Sequence, residues 1–290
     1  MSSTPYPTTS EAASQQPTDT SAARTRLVVL GASNVARGIA TVVQTARSTL
    51  EGPFDLMAAL GHGRSYGRGS WVLGRWLPGI VDCHLWSDLA KRDEGLPATA
   101  LVTDVGNDIL YGASTDQIIG WVETCLQRLQ QADCRIAMTG IPLGSLQKMG
   151  RWEFPLFRTI LYPGCRLTFD DALAASEQLA QSLQSLAGDY NVQFVDPDIT
   201  WYGHDRIHIA RRSQSPAWQA FIQVLGEAAS GDRFRDAADE SPGSHDTSGS
   251  WREFFNIRRL TPHHRKLFGF PQGRQQPAGR LKDGTRVSLY

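Results

Sequence analysis

Apolar positions along the chain fall into five short continuous runs: Leu27–Leu30, Phe54–Leu60, Thr99–Val105, Arg135–Ile141 and Val192–Val195. Most are too continuous to alternate, the pattern of strands covered on both faces. Between them the spacing changes to that of helices. Val35, Ile39, Val42, Val43 and Ala46 fall on one helical stripe, and Ile118, Ile119, Val122, Cys125, Leu126 and Leu129 on another. Asp170–Ala187 forms a third helix. Ser215 and Pro216 start a fourth, with Trp218, Phe221, Ile222 and Leu225 turned inward. Strand–helix alternation with right-handed crossovers predicts an α/β fold, a three-layer α/β/α sandwich around a five-stranded parallel sheet.

Three segments break this rhythm. Gly144–Thr168 carries Trp152, Phe154, Phe157 and Tyr162 without a clean period. It belongs above the carboxyl ends of the strands, where open α/β sheets bind ligands. It reads either as a packed excursion or as a substrate-binding lid. Residues 231–250 are polar and rich in Gly, Ser and Asp, as in a linker. Beyond them, Arg280–Tyr290 alternates apolar and polar around Asp283-Gly284, a hairpin signal.

Four domain-level parts follow. Residues 1–25, rich in Ser, Thr, Pro, Gln and Ala, read as a disordered tail without the apolar stretch of a signal peptide. Residues 26–230 form the catalytic-type domain, 231–250 the linker and 251–290 a basic, aromatic appendage. Lys plus Arg and Asp plus Glu balance at 29 each, so no overall field points to nucleic acid or an anionic membrane. The last 40 residues are nevertheless basic, with nine Lys or Arg against two acids. Their aromatics Trp251, Phe254, Phe255, Phe268 and Phe270 are expected to bury against the domain, and no nucleic-acid partner is expected. No segment approaches the roughly 20 apolar residues of a membrane span. Cys83, Cys125, Cys134 and Cys165 lack Cys-x-x-Cys spacing and read as buried thiols in a reducing compartment, so a cytoplasmic location is expected.

Chemistry concentrates in the turns after the strands. Gly31-Ala-Ser-Asn34 opens the first helix, whose dipole favours a developing anion at Ser33; alone it is an ordinary helix cap. Gly61-His-Gly-Arg-Ser-Tyr-Gly67 follows the second run, where glycines let a backbone N–H approach a ligand. Val105-Gly-Asn-Asp108 follows the third. Asp205-Arg-Ile-His208 lies between the fifth run and the last helix. A serine hydroxyl is a weak nucleophile and needs a base, and the base needs a partner that fixes its tautomer. Asp-x-x-His supplies both from one turn. Each block alone is common; all four emerge at one edge of the sheet, in the order Ser, Gly, Asn, Asp/His.

In that order the blocks resemble those of the SGNH (GDSL-type) hydrolase superfamily, over about residues 26–230. The resemblance implies that family's flavodoxin-like sandwich. It implies Ser33 as nucleophile, His208 as general base and Asp205 as its partner. It makes the Ser33 N–H, the Gly63 N–H and the Asn107 side chain the oxyanion hole. Gly63 is preferred to Gly61 because Arg64 and Ser65 then fall where the family often has a polar pair. Two departures stand out. Ala32 replaces the usual acidic residue before the nucleophile, and Val105 replaces the first Gly of the third block, which should stiffen the Asn107 loop.

Asn34, Arg64, Asp108 and Trp152 are expected to contact substrate. His62 and His204 read as polar rim residues, and Arg206 as a surface salt-bridging residue. His62, His204, His208, Asp104 and Asp108 match no standard metal spacing, so neither metal nor cofactor is expected. The expected reaction is hydrolysis of a small-molecule ester of esterase, lipase or deacetylase type, an acetylated sugar being one candidate. The alternative is a binding module on the same scaffold. A phosphate loop at Gly31–Gly38 ranks last, lacking both phosphate-binding glycine patterns.

Overall fold

The computed structural model describes residues 24–50, 52–91, 96–227, 250–273 and 275–290, so most of the expected tail and linker lies outside the described residues. The chain starts as β1 (Thr25–Leu30), passes through α1 (Ser33–Thr49) and returns as β2 (Phe54–Ala59). A hairpin of β3 (Ser70–Val72) and β4 (Arg75–Leu77) and the helix α2 (Leu85–Ala90) precede β5 (Ala98–Val102). Next come α3 (Asn107–Leu110), α4 (Thr115–Gln131) and β6 (Cys134–Thr139). The excursion folds as α5 (Leu143–Leu146) and α6 (Glu153–Leu161), followed by α7 (Phe169–Asp189) and β7 (Gln193–Val195). After α8 (Gln214–Glu227), the C-terminal segment adds α9 (Ser250–Arg258), β8 (Arg265–Leu267), β9 (Phe270–Gln272), β10 (Gly279–Arg280) and β11 (Arg286–Leu289).

The main sheet runs β10-β11-β2-β1-β5-β6-β7. The five expected strands are all present and mutually parallel. β1 shows why the run is continuous. Leu27 and Val29 join the core beneath α1 and α8, while Val28 and Leu30 join the core beneath α4 and α7. Successive strand residues point to opposite faces, so a strand with helices on both sides has no polar face. Trp218, Phe221, Ile222 and Leu225 are buried, as expected of α8. α4 and α7 each begin in a capping box, from Ser114 with Gln117 and from Thr168 with Asp171. All four cysteines are free thiols. No helix among the described residues is long and apolar enough to cross a membrane.

The sheet is wider than the sequence suggests. The hairpin expected around Asp283-Gly284 forms, pairing Gly279 with Val287 and Arg280 with Arg286. It does not rest on the surface of the domain. β11 joins the free edge of β2 in parallel, in register from Arg286 with Asp55 to Leu289 with Ala58. Without it, β2, buried along its whole length, would present a row of unpaired backbone groups. Arg286 grips the buried Asp55 carboxylate with both Nε (2.6 Å) and Nη2. The anchors also differ from those expected. Of the expected aromatics only Phe254 packs partly against the core; Trp251, Phe255, Phe268 and Phe270 stay exposed, whereas Ile257, Val287, Leu289 and Tyr290 are buried. A second sheet, β3-β4-β8-β9, joins the C-terminal segment to the early hairpin.

Leu289→Ala should therefore lower stability by about 2–5 kcal/mol, the usual cost of emptying a core leucine site. Phe268→Ala, on a residue 73% exposed, should change it by no more than about 0.5 kcal/mol. Urea denaturation of the two variants checks this; a reversed order would show that the exposed aromatics anchor the segment.

Candidate active site

β1 hands the chain to α1 through a turn with no spare room. A Cβ at Gly31 would lie 2.4 Å from Val35 Cγ2 and 2.9 Å from Thr103 Cγ2. The helix has no side-chain cap of its own at Ala32. Asp104, just beyond β5, supplies one from 70 positions away. Its Oδ2 accepts from the N–H groups of Ala32 (3.0 Å), Asn34 (2.9 Å) and Val35 (3.3 Å). Its Oδ1 accepts from the Asn34 amide at 2.7 Å. A carboxylate there also complements the positive end of the helix dipole. In the run Ala32–Val35, only the Ser33 N–H has no acceptor among the described residues. The buried Ser33 Oγ makes no hydrogen bond among them either.

The Asp205–His208 turn is tied to the same helix start. Asn34 donates to the Ile207 carbonyl at 3.3 Å and accepts from the Ile209 N–H at 2.8 Å. The residue after Ser33 thus holds the backbone on both sides of His208. Within the turn, Asp205 Oδ2 lies 2.8 Å from His208 Nδ1, and Oδ1 accepts from the N–H groups of His208 (3.0 Å) and Ile207 (3.3 Å). Burial opposes the charge on Asp205, but these hydrogen bonds and the nearby His208 outweigh it and hold its carboxyl well below the usual carboxylate range. Arg37, one turn after Ser33, adds a pair with Asp205 at 3.7 Å. A carboxylate on Nδ1 keeps the proton there and leaves Nε2 with its lone pair, the form a base requires.

The loop after β2 separates the two candidate glycines. The Gly61 N–H is spent on the Ala32 carbonyl at 3.4 Å, whereas the Gly63 N–H has no acceptor among the described residues. Gly63 has φ +61°, and a Cβ there would lie 2.6 Å from Val72 Cγ2 and 3.1 Å from Tyr162 Oη. Two tyrosines outside the four blocks fix this region. Tyr111 donates to the Gly63 carbonyl at 2.7 Å, and Tyr162 donates to Asn107 Oδ1 at 3.1 Å. Asn107 Nδ2 donates to the Arg64 carbonyl at 3.1 Å, which settles the amide's orientation and leaves its second N–H unused among the described residues.

Of the four residues expected to contact substrate, Asn34 borders the cavity, and Arg64, Asp108 and Trp152 do not line it. Asn34 is also the clamp just described. Arg64 is fully buried and turns away, donating to the carbonyls of Leu60 (3.1 Å), Pro78 (3.1 Å) and Tyr290. Asp108 is also fully buried; its carboxylate accepts from the Ser65 hydroxyl and from the Tyr66 N–H at 2.8 Å. Burial raises its pKa in spite of these bonds. Trp152 is 74% exposed on the outer side of the excursion. Its neighbour Phe154 turns inward instead, against Met149 and Ala172. Among the described residues no group of three His, Cys, Asp or Glu side chains is placed to hold a metal ion.

Ser33 and Asn107 border a cavity of about 130 Å³. Its far wall is apolar, built from Ile109, Leu146, Met149, Phe154 and Ala172. The excursion between β6 and α7 thus lines the site from above.

Two outcomes follow from the clamps. Asp104→Ala, which strands several donors at a helix start, should cost about 1–3 kcal/mol of stability. It should also lower turnover, because it releases Asn34; a stable variant with normal turnover would disprove the clamp. Asp205, ionised to lower pH in the folded protein than the 3.9 or so of an unfolded chain, adds stability above about pH 4. That stability is lost as pH falls through the folded value. The difference in urea midpoint between wild type and Asp205→Asn should therefore shrink below pH 4, and a constant difference would refute it.

No family model matches the chain, and no curated protein matches it in sequence. Solved structures do. The native aryl esterase of M. smegmatis is 12% identical with a TM-score of 0.52, over 70% of this chain and 99% of that chain. Its inhibitor-bound form is 13% identical with a TM-score of 0.51, over 71% and 99%. The psychrotrophic esterase EstA from Pseudoalteromonas sp. is 14% identical with a TM-score of 0.45, over 70% and 97%. The chain thus shares the fold of the M. smegmatis aryl esterase, a parallel sheet covered by helices, with its Ser, Gly and Asn blocks following β1, β2 and β5 at the carboxyl ends of those strands.

Proposed function

We propose that this protein is a serine hydrolase that cleaves small-molecule esters, with Ser33 as nucleophile, His208 as general base and Asp205 as its partner. The observation that carries the reading is the allocation of donors around Ser33. Asp104 takes the N–H groups of Ala32, Asn34 and Val35 and leaves that of Ser33, while Asn34 holds His208 by both flanking peptides. In this reading His208 Nε2 takes the Ser33 proton as Oγ attacks the ester carbonyl. The oxyanion is met by the Ser33 N–H, the Gly63 N–H and the spare N–H of Asn107, donors that need no rearrangement. His208 then protonates the departing alcohol. Water, deprotonated by the same nitrogen, releases the acid.

The apolar cavity suits the acyl group. Its size, about 130 Å³, is close to that of an engineered apolar cavity of about 150 Å³ that takes up benzene. A short acyl chain or an aryl group therefore fits better than a bare acetyl group, which would leave much of the wall uncovered.

Hydrolysis of a series of 4-nitrophenyl esters tests the reading, together with labelling by a fluorophosphonate. Ser33→Ala and His208→Ala should each abolish nearly all turnover, and Ser33→Ala should abolish labelling. Asp205→Asn should cost on the order of 10⁴ in kcat, as in a comparable triad. Asn107→Ala should cost on the order of 10²–10³, the value of one oxyanion donor. Undiminished hydrolysis by Ser33→Ala would end the proposal.

A further inference from the structure

A second cavity, of about 210 Å³, borders the Gly61–His62 stretch and shares no lining residue with the apolar one. Ala36, three residues after Ser33, and Val72, which packs against Gly63, are in its wall. The remaining wall holds Arg75, Arg258, Arg265 and His62, and no Asp or Glu among the described residues. The three guanidinium groups come from β4, the end of α9 and the start of β8. β4 pairs with β8 through Arg75 with Leu267 and Trp76 with Lys266, which brings the strand of Arg75 beside that of Arg265.

Some arginines elsewhere in the chain are matched by carboxylates. Arg286 is matched by Asp55, Arg37 by Asp205, Arg151 by Asp170, and Arg47 by Glu253 and Asp283. Arg75 and Arg258 have no ion pair among the described residues, and Arg258 lies over the ring of Phe254 at 5.9 Å. In the same wall Thr261 Oγ1 is buried without a hydrogen-bond partner among the described residues. The local potential is positive enough to register on a neighbour. Burial first, then the charges of Arg75, His208 and Arg37, depress the pKa of His62. Arg75 and Arg258 are solvent-exposed and carry no ion pair among the described residues, so an anion entering the cavity meets two guanidinium groups not already committed to a carboxylate. Arginine forks match carboxylate and phosphate oxygens in particular.

We propose that this cavity is an anion-binding subsite of the same active site, selecting esters whose alcohol portion carries a carboxylate or phosphate. The proposal rests on the hydrolase reading for its location beside Ser33. The acyl group occupies the apolar cavity, the ester carbonyl lies at Ser33, and the charged alcohol portion extends over His62 toward Arg75 and Arg258. The C-terminal segment supplies two of the three arginines, so the subsite exists only because that segment docks.

A matched pair of esters tests this: 3-butanoyloxybenzoate and the neutral 3-butanoyloxybenzamide, with 3-butanoyloxyphenyl phosphate alongside to rank the two anions. Wild type at low salt should favour the benzoate over the amide in kcat/KM by about tenfold or more, the scale of one charge-assisted hydrogen bond. In Arg75→Gln/Arg258→Gln the preference should fall to near parity through KM, with kcat on the neutral ester unchanged. Arg75→Lys, which keeps the charge, should retain most of it. Equal kcat/KM for both esters in wild type, or a preference that survives in the double variant, would overturn the subsite. If neither ester is hydrolysed, the hydrolase reading fails, and calorimetric binding of 3-hydroxybenzoate decides the subsite. Binding that is lost in the double variant sustains it; absence of binding to wild type overturns it.

Discussion

One carboxylate, that of Asp104, organises the three parts of the site that matter most. It stands at the end of β5 with φ +57°, a conformation that costs a non-glycine residue about 1–3 kcal/mol. Four accepted hydrogen bonds repay that strain. They cap a helix that has no cap of its own, and they use every competing N–H beside Ser33. They also orient Asn34, whose amide then holds the turn of His208. The acid missing at position 32 is thus replaced in effect by one contributed from a different strand. A local side chain would have capped the helix alone; a distant one also fixes the spacing between β1 and the loop after β5.

A second aspartate does for the Gly61–Gly67 loop what Asp104 does for the turn at Ser33. Asp108 takes the Ser65 hydroxyl and the Tyr66 N–H, and Tyr66 sends its own hydroxyl toward the Thr103 carbonyl at 2.7 Å. Tyr111 and Tyr162, with rings 5.0 Å apart edge to face, pin Gly63 and Asn107 from the other side. The loop is therefore held by its carbonyls and side chains, and the Gly63 N–H is left over. Preorganised donors of this kind lose no energy to rearrangement when charge develops. In both clamps a carboxylate is spent on protein N–H and O–H groups so that a neighbouring donor stays open.

The framework was legible because it depends on local pattern: continuous apolar runs for two-sided strands, a 3.6-residue stripe for α1 and α4, Asp283-Gly284 for the hairpin. The four blocks were legible because their order along the chain places them at one sheet edge. What the sequence could not disclose is the direction in which loop polar groups point. Asp104 and Arg64 sit in loops and Asn34 and Asp108 in the first turns of helices beside the site, and nothing local tells a ligand contact from a backbone clamp. The difference is set by partners such as Ile207, Leu60 or Ser65, brought close only by the tertiary register. Trp152, just before α6, and Phe154, in its first turn, differ by two positions, enough to leave one exposed and put the other in the cavity wall. In the C-terminal segment the alternation around Asp283-Gly284 marks the hairpin, but nothing local shows that its second strand, with the buried Val287 and Leu289, pairs with β2.

That anchoring carries a consequence for the site, because β11 pairs with the strand that leads directly into the Gly61–Gly63 loop. The Tyr290 N–H donates to the Ala58 carbonyl at 2.9 Å, and the Leu60 N–H reaches the Tyr290 carbonyl at 3.4 Å. Arg64, immediately after Gly63, closes the arrangement by gripping the carbonyls of Leu60 and Tyr290 together. Its guanidinium is buried, and burial lowers its pKa, so these carbonyls are what make the position tolerable for a cation. Removing the last strand would leave Arg64 with fewer acceptors beneath the very loop whose N–H must stay fixed. The C-terminal segment is thus tied to the Gly61–Gly63 loop through the sheet edge, and its Arg258 and Arg265 line the same cavity as His62.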